Sequence, residues 1–115
     1  LGTNDESWTK NIPERVEAFK VKYYDYLKLI RSKNPDADII CAYGVMQNGL
    51  ADVEKELVEK FSAENNDKHI HFLRFTTHTE ADGMGSDFHP NLSTQQRMTR
   101  ELTAKISEIT GWQAE

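Results

Sequence analysis

The sequence predicts an α/β fold, a parallel sheet with helices on both faces. Two patterns carry that expectation. Amphipathic helical stripes alternate with short apolar runs in the order helix-strand-helix-strand-loop-helix, the order of a covered parallel sheet. The two runs are also continuously apolar rather than alternating, as in strands buried on both faces. A chain of 115 residues holds one domain with a modest core and is too short for two.

The first helix is expected to open at Asn11 as N-cap, with Pro13 in the first turn and Glu14 completing a capping box. Val16, Phe19, Tyr23, Tyr26, Leu27 and Ile30 then recur at helical spacing and form one apolar stripe. Asn34-Pro35-Asp36 ends it, because proline disfavours a helical conformation in the residue before it. Ile39-Ile40-Cys41-Ala42-Tyr43, closed by Gly44, reads as a buried strand. Leu50, Val53, Leu57 and Phe61 mark a second helix that Asn65-Asn66-Asp67 breaks. Ile70–Phe75 is the next strand, and the stretch 76–91 is a loop without periodicity. Ser93 with Gln96 makes a capping box for the last helix, carried by Met98, Leu102, Ile106 and Ile109 up to Gly111. Leu1-Gly2-Thr3-Asn4-Asp5 reads as the exit of a strand whose body lies upstream, so the sequence is expected to be one part of a larger domain.

Ligands of open parallel sheets bind beyond the carboxyl ends of the strands. Three segments are expected there: Gly2 to Trp8, Gly44 to Gly49, and Thr76 to Asn91. The formal charge of -5, with 37% hydrophobic and 29% charged residues, gives no basic stripe for nucleic acid. No run approaches the roughly 18 apolar residues of a membrane span. The single cysteine, Cys41, excludes an internal disulfide and lies in an apolar run, where a buried, inert thiol is expected.

Two loop motifs have chemical potential. Asp87-Phe88-His89-Pro90 offers a histidine as general base, an aspartate two residues earlier to orient it, and a proline that stiffens the exit. Gly2-Thr3-Asn4-Asp5 offers a close backbone approach and an uncharged amide donor for an oxyanion. Taken separately, each is more often an ordinary turn satisfying its own hydrogen bonds.

Taken together, G-x-N-D and then D-x-H-P about eighty residues later, just before the final helix, resemble the third and fifth blocks of the SGNH (GDSL-like) ester hydrolases. The resemblance implies a flavodoxin-like hydrolase fold present only as its C-terminal half. Ile40-Cys41-Ala42-Tyr43-Gly44-Val45-Met46 and Gly83-Met84-Gly85-Ser86-Asp87-Phe88-His89-Pro90-Asn91 look most like carbohydrate esterase family 2, deacetylases of plant polysaccharides. The resemblance implies His89 as general base, Asp87 as its orienting residue (some members lack this carboxylate and use a dyad), and Asn4 as oxyanion donor. Phe88 stands where family 2 often has tryptophan. Trp8 has two readings, a sugar-stacking surface or an aromatic packed beneath the first helix, and Trp112 reads as a hydrophobic anchor. The nucleophilic serine belongs to an earlier block and is absent: Ser7, Ser86 and Ser93 lack the G-D-S context. The implied partners are an acylated carbohydrate or other small ester and the upstream part of the same polypeptide, with no cofactor, no metal, no nucleic acid and no membrane. The family's usual substrates favour secretion or the cell envelope.

Three rival readings remain at this point. His69 and His71 share a strand face, and with His78, Asp87 and His89 they would make a mixed ligand set that suits zinc, against which stands the place of the first two near the strand's amino end, far from the loop. The chain is alternatively a non-catalytic flavodoxin-like or carbohydrate-binding module, since a fold alone fixes no function. A lipase or thioesterase branch of the same superfamily would act on another ester.

Overall fold

Ile39–Gly44 (β1) and Ile70–Phe75 (β2) pair in parallel, Ile39 opposite Ile70 and Gly44 opposite Phe75, in the computed structural model, which describes residues 1–113. The helices are Thr3–Thr9 (α1), Pro13–Lys33 (α2), Ala51–Asn65 (α3) and Leu92–Thr110 (α4), and 3₁₀ turns at Glu80–Asp82 and Ser86–Phe88 shape the loop before α4. Residues opposite one another in this register point to the same side. Cys41, Tyr43, Ile70 and Phe72 therefore share one face, and α2 and α3 cover it with Phe19, Tyr23, Leu27, Leu57, Val58 and Phe61. Each large apolar side chain buried there contributes about 1.5–3 kcal/mol.

The second face is covered more thinly. α4 lies against β2, where Phe75 borders a groove with Met98 and Leu102. Ile40, Ala42 and Leu73 are only half-buried, so the strands are sealed on one face rather than two. Among the described residues β1 pairs on one edge alone, and its other edge opens onto an apolar groove lined by Tyr23, Tyr26, Ile30, Ile40 and Ala42.

Arg31 locks the end of α2 to the start of β2. Its guanidinium donates to both Asp67 carboxylate oxygens at 2.8 and 3.2 Å, and to the carbonyls of Ala37 at 2.7 Å and His69 at 3.0 Å. This bidentate, half-buried geometry is the strong form of an ion pair.

Several expected details differ. The Gly2–Trp8 segment is a helix rather than a strand-exit turn: Gly2, at φ 98°, turns the chain, and Asp5 and Glu6 lie in the first turn of α1, where negative charge complements the helix dipole. Asn11 does not cap α2. Lys10 and Asn11 both adopt left-handed φ (46° and 57°) to reverse the chain after α1, leaving extended Ile12 as the N-cap. At α4 the cap is Asn91, whose side chain accepts from the Thr94 N–H at 3.0 Å, while Ser93 lies inside the helix and donates to Asn91. Trp112 is 71% exposed and anchors nothing among the described residues.

Candidate functional site at the carboxyl edge of the sheet

α1 is attached to the chain leaving β1 through Glu6. The Glu6 carboxylate accepts from the Tyr43 hydroxyl and, at 3.0 Å, from the backbone N–H of Gly49. Gly49 has to be small here, because a Cβ would sit 2.5 Å from Glu6 Oε1. The segment leaving β2 is tied to the same place: the His78 N–H donates to the Val45 carbonyl at 2.8 Å, and Asn48 Nδ2 donates to Thr77 Oγ1 at 3.2 Å. α1, the β1 exit and the β2 exit therefore border one another at the carboxyl edge. Val45 sits at φ 75°, a conformation that a β-branched residue adopts only under constraint. Such strain concentrates at functional sites.

The loop carrying Asp87 and His89 is built on its own hydrogen bonds. Asp82 accepts from Arg97 at 2.8 Å, the Asp82 carbonyl accepts from Asn91 Nδ2 at 2.7 Å, and Met84 and Pro90 form an antiparallel bridge. The hydrogen bonds from the Thr79 backbone and hydroxyl, followed by Arg97, hold the Asp82 carboxyl below the usual carboxylate range. His89 is pinned through its backbone: its N–H donates to the Ser86 carbonyl at 3.1 Å and its carbonyl accepts from Gly85 at 2.8 Å. Its side chain is exposed and, among the described residues, makes no hydrogen bond. Asp87 and Phe88 both stand at left-handed φ, 54° and 60°, and the Phe88 side chain is 74% exposed. No hydrogen bond joins the Asp87 carboxylate to the imidazole.

Asn4 is exposed in the first turn of α1. Trp8, one turn further along, is 51% exposed, and the Arg15 guanidinium lies 5.6 Å from its ring centre while donating to the Trp8 carbonyl at 2.8 Å. One face of the indole is thus partly occupied. Ser7, Ser86 and Ser93 are all exposed, and among the described residues none of their hydroxyls hydrogen-bonds to the His89 imidazole.

The mixed ligand set imagined for zinc does not come together. His69 Nδ1 and His71 Nε2 each lie 3.0 Å from Asp38 Oδ1 at the amino end of the strands, whereas His78 and His89 follow the carboxyl end of β2.

Two residues beneath this edge escaped the sequence reading. Glu6, inside the Gly2 to Trp8 segment, drew no reading of its own. Glu54 is fully buried and accepts from the Tyr23 hydroxyl at 3.1 Å. A signal for Glu54 was present, since it stands four residues after Leu50 and three before Leu57, on the apolar stripe itself.

The chain is 31% identical, over 97% of its length, to the cellulase/esterase CelE of Acetivibrio thermocellus, and spans 14% of that protein. A family two carbohydrate esterase from Clostridium thermocellum, solved as an active-site mutant, superposes with a TM-score of 0.79 at 29% identity. That match covers 85% of this chain and 31% of the solved one. The chain resembles the family 2 carbohydrate esterases. An acetyl xylan esterase from Butyrivibrio proteoclasticus agrees, with a TM-score of 0.81 at 27% identity over 88% of this chain and 27% of the esterase. The Clostridium enzyme has also been solved in complex with cellohexaose. No family model matches. The α/β arrangement with a parallel sheet is that of these SGNH-type esterases over the part that the chain spans.

Proposed function

We propose that this chain supplies the general base and one oxyanion donor of a serine-type esterase that removes acetyl groups from carbohydrate, with the serine contributed by polypeptide preceding Leu1. Likeness to an esterase over 97% of the chain carries the reading. The attachment of α1 and the His89 loop to the same sheet edge supports it. In this reading residues 1–115 are the C-terminal part of a single hydrolase domain. The exposed edge of β1 receives a strand of the preceding polypeptide, because open apolar edges recruit strands and two strands rarely stand alone.

The serine hydroxyl attacks the acetyl carbonyl carbon while His89 takes its proton. The Asn4 amide donates to the oxygen that becomes negative, and it does so from a helix turn already fixed, so little reorganisation is needed during reaction. His89 then returns the proton to the departing sugar hydroxyl, and water repeats the sequence on the acyl-serine. Asp87 is the residue proposed to orient the imidazole; it makes no hydrogen bond to the ring in this structure, so the role requires its carboxylate to turn toward His89 when the preceding polypeptide is in place. Phe88 and the free face of Trp8 offer apolar surfaces to the sugar.

Two measurements test this in the polypeptide that includes the serine. Acetylated oligosaccharides are expected to turn over faster than octanoyl esters, and the reverse order would move the chain to a lipase or thioesterase branch. Asn4→Ala is expected to lower kcat by roughly ten- to a thousandfold, the scale of losing one oxyanion donor. An unchanged kcat in that variant removes Asn4 from the site.

A further inference from the structure

Among the described residues, the one buried carboxylate that the mechanism leaves unused lies directly under the segment carrying Asn4. Glu54 is 0% exposed, and only one of its oxygens is satisfied, by the Tyr23 hydroxyl. The other, Oε1, is buried without a hydrogen-bond partner. It presses on Gly2: a Cβ on that residue would lie 2.1 Å from Glu54 Oε1 and 2.6 Å from the Tyr43 ring. Gly2 is the N-cap of α1, and its carbonyl accepts from the Glu6 N–H at 2.8 Å, so its position sets where α1 begins. Asn4 follows two residues later. Tyr43 connects the two supports, touching Gly2 with its ring and donating to Glu6 through its hydroxyl.

We infer that Glu54 is a positioning residue for the segment carrying Asn4, acting through the backbone of Gly2. The inference rests on the esterase reading for its effect on turnover, but not for its effect on the segment. Loss of solvation pushes the Glu54 carboxyl up to about 7, against the pull of the Tyr23 hydrogen bond. The groups facing it are Tyr23 from α2, Cys41 and Tyr43 from β1, Asp5 from α1, which pushes the carboxyl further up, and the Leu1 amino group, which lowers it. Where polypeptide precedes Leu1 a peptide bond replaces that amino charge, and the upward push grows. In the protonated form the buried contact with Gly2 involves no net charge. Ionisation leaves an unsolvated negative charge whose desolvation cost outweighs its attraction to the amino end of α1, so arrangements that lift the start of α1 and admit water gain population. The contribution is present at acid pH and is lost as pH rises through about 7, or through a higher value where the preceding polypeptide removes the amino charge.

The test compares Glu54→Ala and Glu54→Gln with wild type in the polypeptide that includes the serine. Glutamine keeps the shape of the protonated acid and cannot ionise. At pH 6 Glu54→Ala is expected to lower kcat about tenfold or more with KM nearly unchanged, and Glu54→Gln to restore it, the pattern of a lost transition-state donor. The ratio of wild-type kcat to that of Glu54→Gln, followed from about pH 6 to 9, is expected to fall severalfold as pH rises. Amide hydrogen exchange of residues 2–6 is expected to quicken at least tenfold in Glu54→Ala, with α4 unaffected, and to return to wild type in Glu54→Gln. A flat ratio across that pH range overturns the inference, as does unaltered or uniformly raised exchange in Glu54→Ala, or a glutamine variant that behaves like alanine. If ester hydrolysis proves independent of His89, the esterase reading fails and hydrogen exchange alone decides the role of Glu54.

Discussion

Replacing His89 by alanine, in the polypeptide that includes the serine, is expected to remove nearly all ester hydrolysis and leave the fold intact. Nucleophile and base act as a unit, so losing either costs roughly four to six powers of ten. The structure makes the separation of activity from stability clean. The His89 backbone is held by hydrogen bonds to Ser86 and Gly85 that alanine keeps. Its imidazole is exposed, so truncation removes no packing. Melting temperature should therefore stay within a degree or two of wild type while kcat on an acetyl ester collapses. Wild-type turnover in the variant would show that the base lies elsewhere.

The second large effect concerns stability. Gly2→Ala is expected to destabilise the fold by about 3 kcal/mol, from overpacking of roughly 1–3 kcal/mol and a left-handed backbone penalty of roughly 1–2 kcal/mol. At φ 98° the backbone suits glycine alone, and the added methyl would strike Glu54 and the Tyr43 ring. Neither neighbour has room to move: both are buried, Glu54 is held by Tyr23 and Tyr43 by Glu6. Denaturant unfolding measures the change directly. A midpoint equal to wild type would mean that Gly2 is not packed against the core as described.

The strands and the long helices were legible because their sequences announce them. Ile39–Gly44 and Ile70–Phe75 are short apolar runs between turn residues, and Phe19, Tyr23 and Leu27 recur on one helical face. α1 was not legible. Its seven residues, Thr3–Thr9, are mostly polar with no apolar stripe, and the helix owes its place to Gly2 and to the Glu6 bridge, both long-range effects. The caps misled for a related reason. Asn11 has the right chemistry for an N-cap, but reversal of the chain after α1 demands a left-handed conformation there. Asn91 captured the start of α4 ahead of Ser93 because its side chain also closes the preceding loop onto Asp82.

The candidate site divides the same way. Gly2-Thr3-Asn4-Asp5 and Asp87-Phe88-His89-Pro90 were readable as motifs, since their chemistry lies in residue type and order. Sheet topology also set both segments at the carboxyl edge, but the hydrogen bonds that fasten their flanks there were not readable, because they join partners distant in sequence: Glu6 with Gly49, and His78 with Val45. The left-handed pair at Asp87 and Phe88, where an aromatic ring stands exposed, also follows from loop closure between Met84 and Pro90 rather than from composition.

The most direct test of the proposed site is a crystal structure of the polypeptide after reaction with a serine-directed phosphonate that mimics the tetrahedral intermediate. The expected result is a single labelled serine preceding Leu1, with a phosphonyl oxygen about 3 Å from the Asn4 amide and the His89 imidazole beside the modified oxygen. A protein that takes no label, or one in which Asn4 and His89 lie at opposite edges of the sheet, would contradict it.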